Sequence, residues 1–208
     1  MHSIIKIIKS FFYTLFNYKK DLTYLKKYYK IITQKRLVVF DTETTGLDAK
    51  NDDIIQIAAL EIINGKIGKS FEWYFDTDKS LGSAIKVHNI SKEILKSKSI
   101  DKKTGLTEFV QFLSVDALLA HNIQFDYSIL NNNLLRLGLK MIEDNDRLFC
   151  SLAITRQLYK LQSYKLGDIL NSLNIEGKNS HNAKDDVEAT ANLALKLKNR
   201  IKKMNLVD

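Results

Sequence analysis

The apolar positions of this chain fall into a sequence of distinct periodicities. Ile4, Ile5, Ile7, Ile8, Phe11, Phe12, Leu15 and Phe16 recur at i, i+3, i+4, i+7 spacing, with Lys6, Lys9, Ser10 and Tyr13 mostly elsewhere on the wheel. That spacing predicts an amphipathic helix. Leu22, Leu25, Tyr28, Tyr29 and Ile32 continue at helical spacing through a Lys- and Tyr-rich stretch. The run Leu37-Val38-Val39-Phe40 then carries no polar interruption and is rich in β-branched residues, as a central strand buried on both faces should be. Apolar and aromatic stretches at 54–63 and 66–75 flank Asn64-Gly65, a strong hairpin signal. Leu106, Phe109, Val110 and Leu113 predict a helix, 115–120 a buried strand, and Ile129, Leu130, Leu134 and Leu137 a helix closing near Gly138. A short fifth strand is expected at 147–150, followed by helices at 152–161 and 165–173. A long helix is expected through Val187, Ala191, Ala194, Leu195 and Ile201. The pattern is that of an α/β fold, a hairpin-bearing mixed sheet with helices on its faces.

Composition sharpens this in three ways. The 208 residues are 45% apolar and 27% charged, which fits one globular domain with an appendage rather than a disordered chain. The single Cys150 can make no internal disulfide, which suits a reducing, cytoplasmic setting and leaves Asp, Glu and His as the metal-binding side chains. There is no proline, so Gly and Asn must punctuate the turns. The net charge of +8 is unevenly spread: residues 1–35 hold eight Lys and one Asp, whereas the other 24 basic and 23 acidic residues nearly cancel. We therefore expect a basic amphipathic helical extension over 1–35 and a near-neutral domain over 36–208. Lys6 and Lys9 make the extension too short and too charged for a membrane span, and it lacks the features of a signal peptide. Three roles stay open for it: packing back on the domain, lying on an anionic membrane surface, or contacting nucleic acid or a partner.

Carboxylates gather at three places. Asp41 and Glu43 end the central strand and, two residues apart, project to the same side. Held close, they repel each other unless a hard cation sits between them. Asp126 follows the strand at 115–120 and falls at the start of the next helix, where it could equally be a cap. The stretch from His181 to Asp186 opens the last helix; five apart, the two lie about 140° from each other on a helix and converge only if His181 sits on the loop before it and Asp186 projects from its early turns.

In combination and order these stretches resemble the DEDDh exonucleases, the family of the proofreading (epsilon) subunit of bacterial DNA polymerase III. Residues 40–47 (Phe-Asp-Thr-Glu-Thr-Thr-Gly-Leu) are similar to the family's first motif, 121–126 (His-Asn-Ile-Gln-Phe-Asp) to its second, and 181–186 (His-x-Ala-x-x-Asp) to its third. Val87-His88-Asn89-Ile90-Ser91 resembles a segment between the first two, with Asn89 where Gly is usual and without the usual upstream proline. The resemblance covers about residues 36–200. It implies a ribonuclease H-like fold with a five-stranded mixed sheet and helices on both faces. It also implies a metal-dependent 3′–5′ exonuclease releasing nucleoside monophosphates from DNA. Exoribonuclease action on RNA ends and a non-catalytic binding module are the alternatives. By the same resemblance Asp41, Glu43, Asp126 and Asp186 hold two divalent cations, Mg²⁺ or Mn²⁺, and His181 is the general base. Thr44, Leu47, His88, Asn122 and Phe125 line the terminal-nucleotide pocket. Asp185, beside Asp186, is assigned to solvent. The partners implied are a nucleic acid with a single-stranded or frayed 3′ end and a DNA polymerase.

Overall fold

The computed structural model of the chain describes residues 21–144 and 146–205. The amphipathic pattern between Ile4 and Phe16 lies outside the described residues. Five strands, β1 (Arg36–Thr44), β2 (Ile54–Ile63), β3 (Lys66–Tyr74), β4 (Ala117–Ala120) and β5 (Leu148–Cys150), form one sheet in the order β3-β2-β1-β4-β5. The first three are antiparallel neighbours, while β4 runs parallel to β1 and β5 to β4. Asn64 and Gly65 both take positive φ, 51° and 75°, at the β2–β3 turn, the backbone that a tight hairpin with right-twisted strands requires.

Successive residues of β1 feed opposite cores, as strand geometry dictates. Leu37 and Val39 face one layer, packed with α1 (Leu22–Gln34), α6 (Ser151–Leu158), α7 (Leu166–Leu173) and α8 (Ala183–Lys203). Val38 and Phe40 face the other, packed with α4 (Lys102–Leu113) and α5 (Ile123–Arg136). Two short helices, α2 (Ile85–His88) and α3 (Lys92–Lys98), cover a third cluster of Ile55, Tyr74, Leu81, Ile90 and Leu95. The apolar periodicity gave no sign of either, because a helix of one or two turns shows too few buried positions. Elsewhere the ends shift. β4 starts at Ala117, with Val115 89% exposed in the turn before it, and α6 stops at Leu158 because Tyr159 is extended.

The second half of the expected extension is part of the core. Leu25, Tyr28 and Ile32 of α1 are fully buried. The Tyr28 hydroxyl donates to the Ala194 carbonyl of α8 at 2.8 Å, and the Cys150 amide donates to the Tyr24 hydroxyl at 2.8 Å. Both rings pack on Phe149, with centroids 5.4 and 5.7 Å away. Packing is therefore continuous across Lys35, where the domain boundary was expected. The buried face of residues 22–34 thus packs back on the domain, the first of the roles weighed for the extension.

Candidate active site

The C-terminal ends of β1 and β4 lie side by side, so whatever follows them meets at one edge of the sheet. β1 delivers Asp41 and Glu43. After β4, Asn122 takes a left-handed φ of 72°, turns the chain into α5, and brings Asp126 onto its first turn. The third contribution comes from α8. Gln56, opposite Glu43 in the β1–β2 register, is fully buried and accepts the Ala183 amide at 3.1 Å. Its amide nitrogen donates to Glu72 and to the Tyr74 hydroxyl at 2.8 and 2.9 Å. This side chain pins the start of α8 to the sheet one strand away from Glu43.

One carboxylate oxygen each from Asp41, Glu43 and Asp186 lies within 4.8 Å of the other two. Asp126, 4% exposed, sits beside them: one of its oxygens accepts from the Thr42 amide (3.1 Å) and hydroxyl (2.8 Å), between Asp41 and Glu43. None of the four makes an ion pair with Lys, Arg or His among the described residues. Burial, and then the charges of Asp126, Glu43 and Asp186, push the Asp41 carboxyl well above the ordinary range. Burial, with Asp186 and Asp126, lifts Glu43 to about 8. Burial raises Asp126 to about 7 against the Thr42 hydrogen bonds, and Asp186 to about 6 against those from Ser180 and Asn179 and the charge of His181. A cluster of buried like charges with oxygen donors alone is chemistry that a hard divalent cation satisfies. The residues present therefore fit Mg²⁺ or Mn²⁺.

His181 lies on the loop before α8, exposed, with φ at 52°; Asn182 caps the helix by accepting from the Lys184 amide at 3.2 Å. The loop is tied to the acids. Asn179 donates to one oxygen of Asp186 (2.7 Å) and the Ser180 amide to the other (3.1 Å). Asp185 is not a solvent-facing bystander: it is half-buried and accepts the Ser180 hydroxyl at 2.6 Å. Gln56, Asn179 and Ser180 went unnoticed in the sequence, because neutral side chains far apart in the chain carry no pattern.

The expected pocket residues surround this cluster in different states. Thr44 is buried, its hydroxyl donating to the Gly46 carbonyl at 2.6 Å, whereas Leu47 is 88% exposed. The loop between them and β2 is braced. Thr45 bonds to Asp53 (3.0 Å) and Asp52 (2.7 Å), and Arg136 reaches the Asp52 carbonyl at 2.6 Å. A Cβ at Gly46 would meet an Asp52 carboxylate oxygen at 2.5 Å, so a larger residue there has to displace Asp52 from the Thr45 hydroxyl and the Asp48 amide. His88 is buried; its Nδ1 accepts the Ile90 amide at 3.0 Å, so Nε2 carries the proton, yet Nε2 makes no hydrogen bond among the described residues. Burial lowers the basicity of this ring, partly offset by the nearby Thr44 backbone. Asn89 follows with φ at 57°, so asparagine supplies the left-handed turn that glycine would. Asn122 is exposed, and Phe125 is half-buried against the α5 core. His121 is braced by Ser151 (2.9 Å) and the Tyr164 carbonyl (3.1 Å), away from the acids.

The sequence profile of the family described as Exonuclease matches residues 38–194. The PolC-type DNA polymerase III of Caldanaerobacter subterraneus subsp. tengcongensis is 32% identical over 171 residues, covering 81% of this chain, and that of Listeria monocytogenes is 35% identical over 173 residues, covering 82%. The chain spans only 12% of the length of either relative. Among solved structures, E. coli exonuclease I in complex with a dT13 oligonucleotide superposes with a TM-score of 0.74 at 21% identity, over 82% of this chain and 42% of that one. Exonuclease X in complex with 5′ overhanging duplex DNA gives 0.62 at 22% identity, over 78% and 91%. At these identities the structural likeness establishes the fold.

Proposed function

The chain belongs to the exonuclease family, and from that premise we propose that it is a DEDDh-type 3′–5′ exonuclease that hydrolyses the terminal phosphodiester of single-stranded or frayed DNA 3′ ends, releasing nucleoside monophosphates. The observation that carries this reading is the approach of the Asp41, Glu43 and Asp186 oxygens to within 4.8 Å of one another. In this reading those three acids and Asp126 hold two divalent cations, Mg²⁺ or Mn²⁺. When bound, the cations supply charge neutralisation and Lewis acidity at the reacting phosphate. His181 takes the proton of the attacking water; its exposure on a loop tied to Asp186 gives it the reach for that task. The proton on Nε2 of buried His88, close to the Thr44 backbone but without a hydrogen bond among the described residues, meets an oxygen of the terminal nucleotide beside Thr44 and Asn122. Leu47, held out by the braced loop, wedges against a base, and Phe125 backs it. The likeness to PolC-type DNA polymerase III favours DNA and a proofreading or repair setting beside a polymerase. The buried free thiol of Cys150 suits the reducing cytoplasm where such substrates lie.

The test is digestion of 5′-labelled single-stranded DNA and matched RNA, with Mg²⁺ or Mn²⁺ and with EDTA. Stepwise shortening of DNA that EDTA abolishes, and that Asp41→Ala lacks, is the expected result. Faster shortening of RNA reassigns the substrate. If the wild type shortens neither and Asp41→Ala binds both strands equally well, the protein is a binding module. His181→Ala should keep divalent-metal affinity and lose most turnover.

A further inference from the structure

α1 and α8 are neighbours in the same helical layer, and their outward sides are lined by cations. On α8, Lys196, Arg200 and Lys203 are exposed and follow one another at i, i+4, i+7, a single stripe. On α1, Lys26 and Lys30 are exposed four residues apart. The Tyr28–Ala194 hydrogen bond holds the two helices together, and the Lys198 ammonium lies against Gly65 at the hairpin tip. No Asp or Glu occurs in 22–35 or in 189–205. None of these five stripe residues has a carboxylate partner among the described residues.

Helix polarity explains only part of this arrangement. Cations in the last turn of α8 suit its negative end, but Lys196 lies well before that turn, and Lys26 stands just past the positive end of α1. The stripe also has a fixed relation to the acids. α8 begins at the acid cluster with Asp186 and runs away from it, so Lys196 lies about 15 Å along the axis and Lys203 about 25 Å.

We propose that the α1–α8 face, through Lys26, Lys30, Lys196, Arg200 and Lys203, carries the phosphate backbone of the single strand upstream of the 3′ end being cut. The proposal rests on the exonuclease reading, and charge complementarity selects its occupant. A polyanion already anchored at one end of α8 meets, further along the same helix, a row of cations with no carboxylate partner among the described residues, Arg200 lying over the Tyr159 ring at 5.3 Å. The face acts on long strands and is out of reach of a di- or trinucleotide.

The experiment compares the full-length protein with two variants, Lys196→Gln/Arg200→Gln/Lys203→Gln and Lys26→Gln/Lys30→Gln, all at exposed positions. On a trinucleotide, kcat and KM should be unchanged. On a 30-nucleotide single strand, the triple variant should raise KM roughly tenfold at moderate salt. The slope of log KM against log salt should shrink by about 2, at about 0.7 per phosphate lost. Anisotropy of a labelled 30-mer in EDTA should show the same loss of binding, which keeps the test valid even if hydrolysis itself fails. Equal loss on short and long substrates, or no loss on either, overturns the proposal. So does loss of sedimentation with anionic phospholipid vesicles while the 30-mer KM stays put, which would make the face a lipid-docking surface.

Discussion

Replacing Tyr28 by Ala separates an appended helix from an integral one. In the structure Tyr28 is fully buried, packs on Phe149 and donates to the Ala194 carbonyl. Truncating a large buried aromatic removes its transfer free energy and leaves a cavity, which costs about 3–5 kcal/mol. Tyr28→Phe keeps the ring and loses the hydrogen bond, worth about 1 kcal/mol. For a domain of this size each kcal/mol shifts Tm by roughly 2–4 °C, so Tyr28→Ala should lower it by on the order of 10 °C. Urea unfolding followed by circular dichroism gives the free energies, and near-equal m-values for wild type and both variants would show that they unfold as one unit. A change under about 1 kcal/mol for Tyr28→Ala would refute the packing argument and restore α1 to the status of a tail. Removal of residues 1–34 should likewise unfold the protein rather than merely weaken its attachment to long strands.

Without metal, the acid cluster should make the protein less stable as pH rises. The carboxyls are raised above their unfolded values, so their contribution is fullest below about pH 4. It falls away as pH climbs through Asp186 at about 6, Asp126 at about 7 and Glu43 at about 8. Tm in EDTA should therefore decline across that window, Mg²⁺ should reverse the decline, and a flat profile would contradict the cluster. Asp41→Asn should raise Tm in EDTA, because it removes one of the repelling charges, while abolishing turnover. Asn179→Ala should weaken Mn²⁺ binding by about 10- to 100-fold, seen by electron paramagnetic resonance of free Mn²⁺, because Asp186 loses the donor that orients it. Unchanged affinity would mean that the Ser180 amide suffices.

The elements with strong periodicity were legible before any coordinates. The β2–β3 hairpin turns at Asn64-Gly65, and β1 is buried on both faces as its uninterrupted apolar run required. So was the expectation that Asp41 and Glu43 point together, since alternation in a strand leaves no other outcome. The role of α1 was not, because an amphipathic basic helix reads the same whether it lies on a core, a membrane or a polyanion. Nor were the supports of the site. Gln56 looks like one polar residue in an apolar strand, and its meaning rests on Ala183, 127 positions later. Asn179 and Ser180 precede the motif they brace, in a stretch with no hydrophobic pattern.

The clasp between Gln56 and the start of α8 bears on when the acid set is completed as the chain is made. Asp41 and Glu43 leave the ribosome more than a hundred residues before Asp186 is made. At about 5–20 residues per second, the chain spends on the order of ten seconds or more with only part of its acid set. On the exonuclease reading, a nascent copy therefore holds an incomplete acid set until Asp186 is made and Gln56 meets the start of α8.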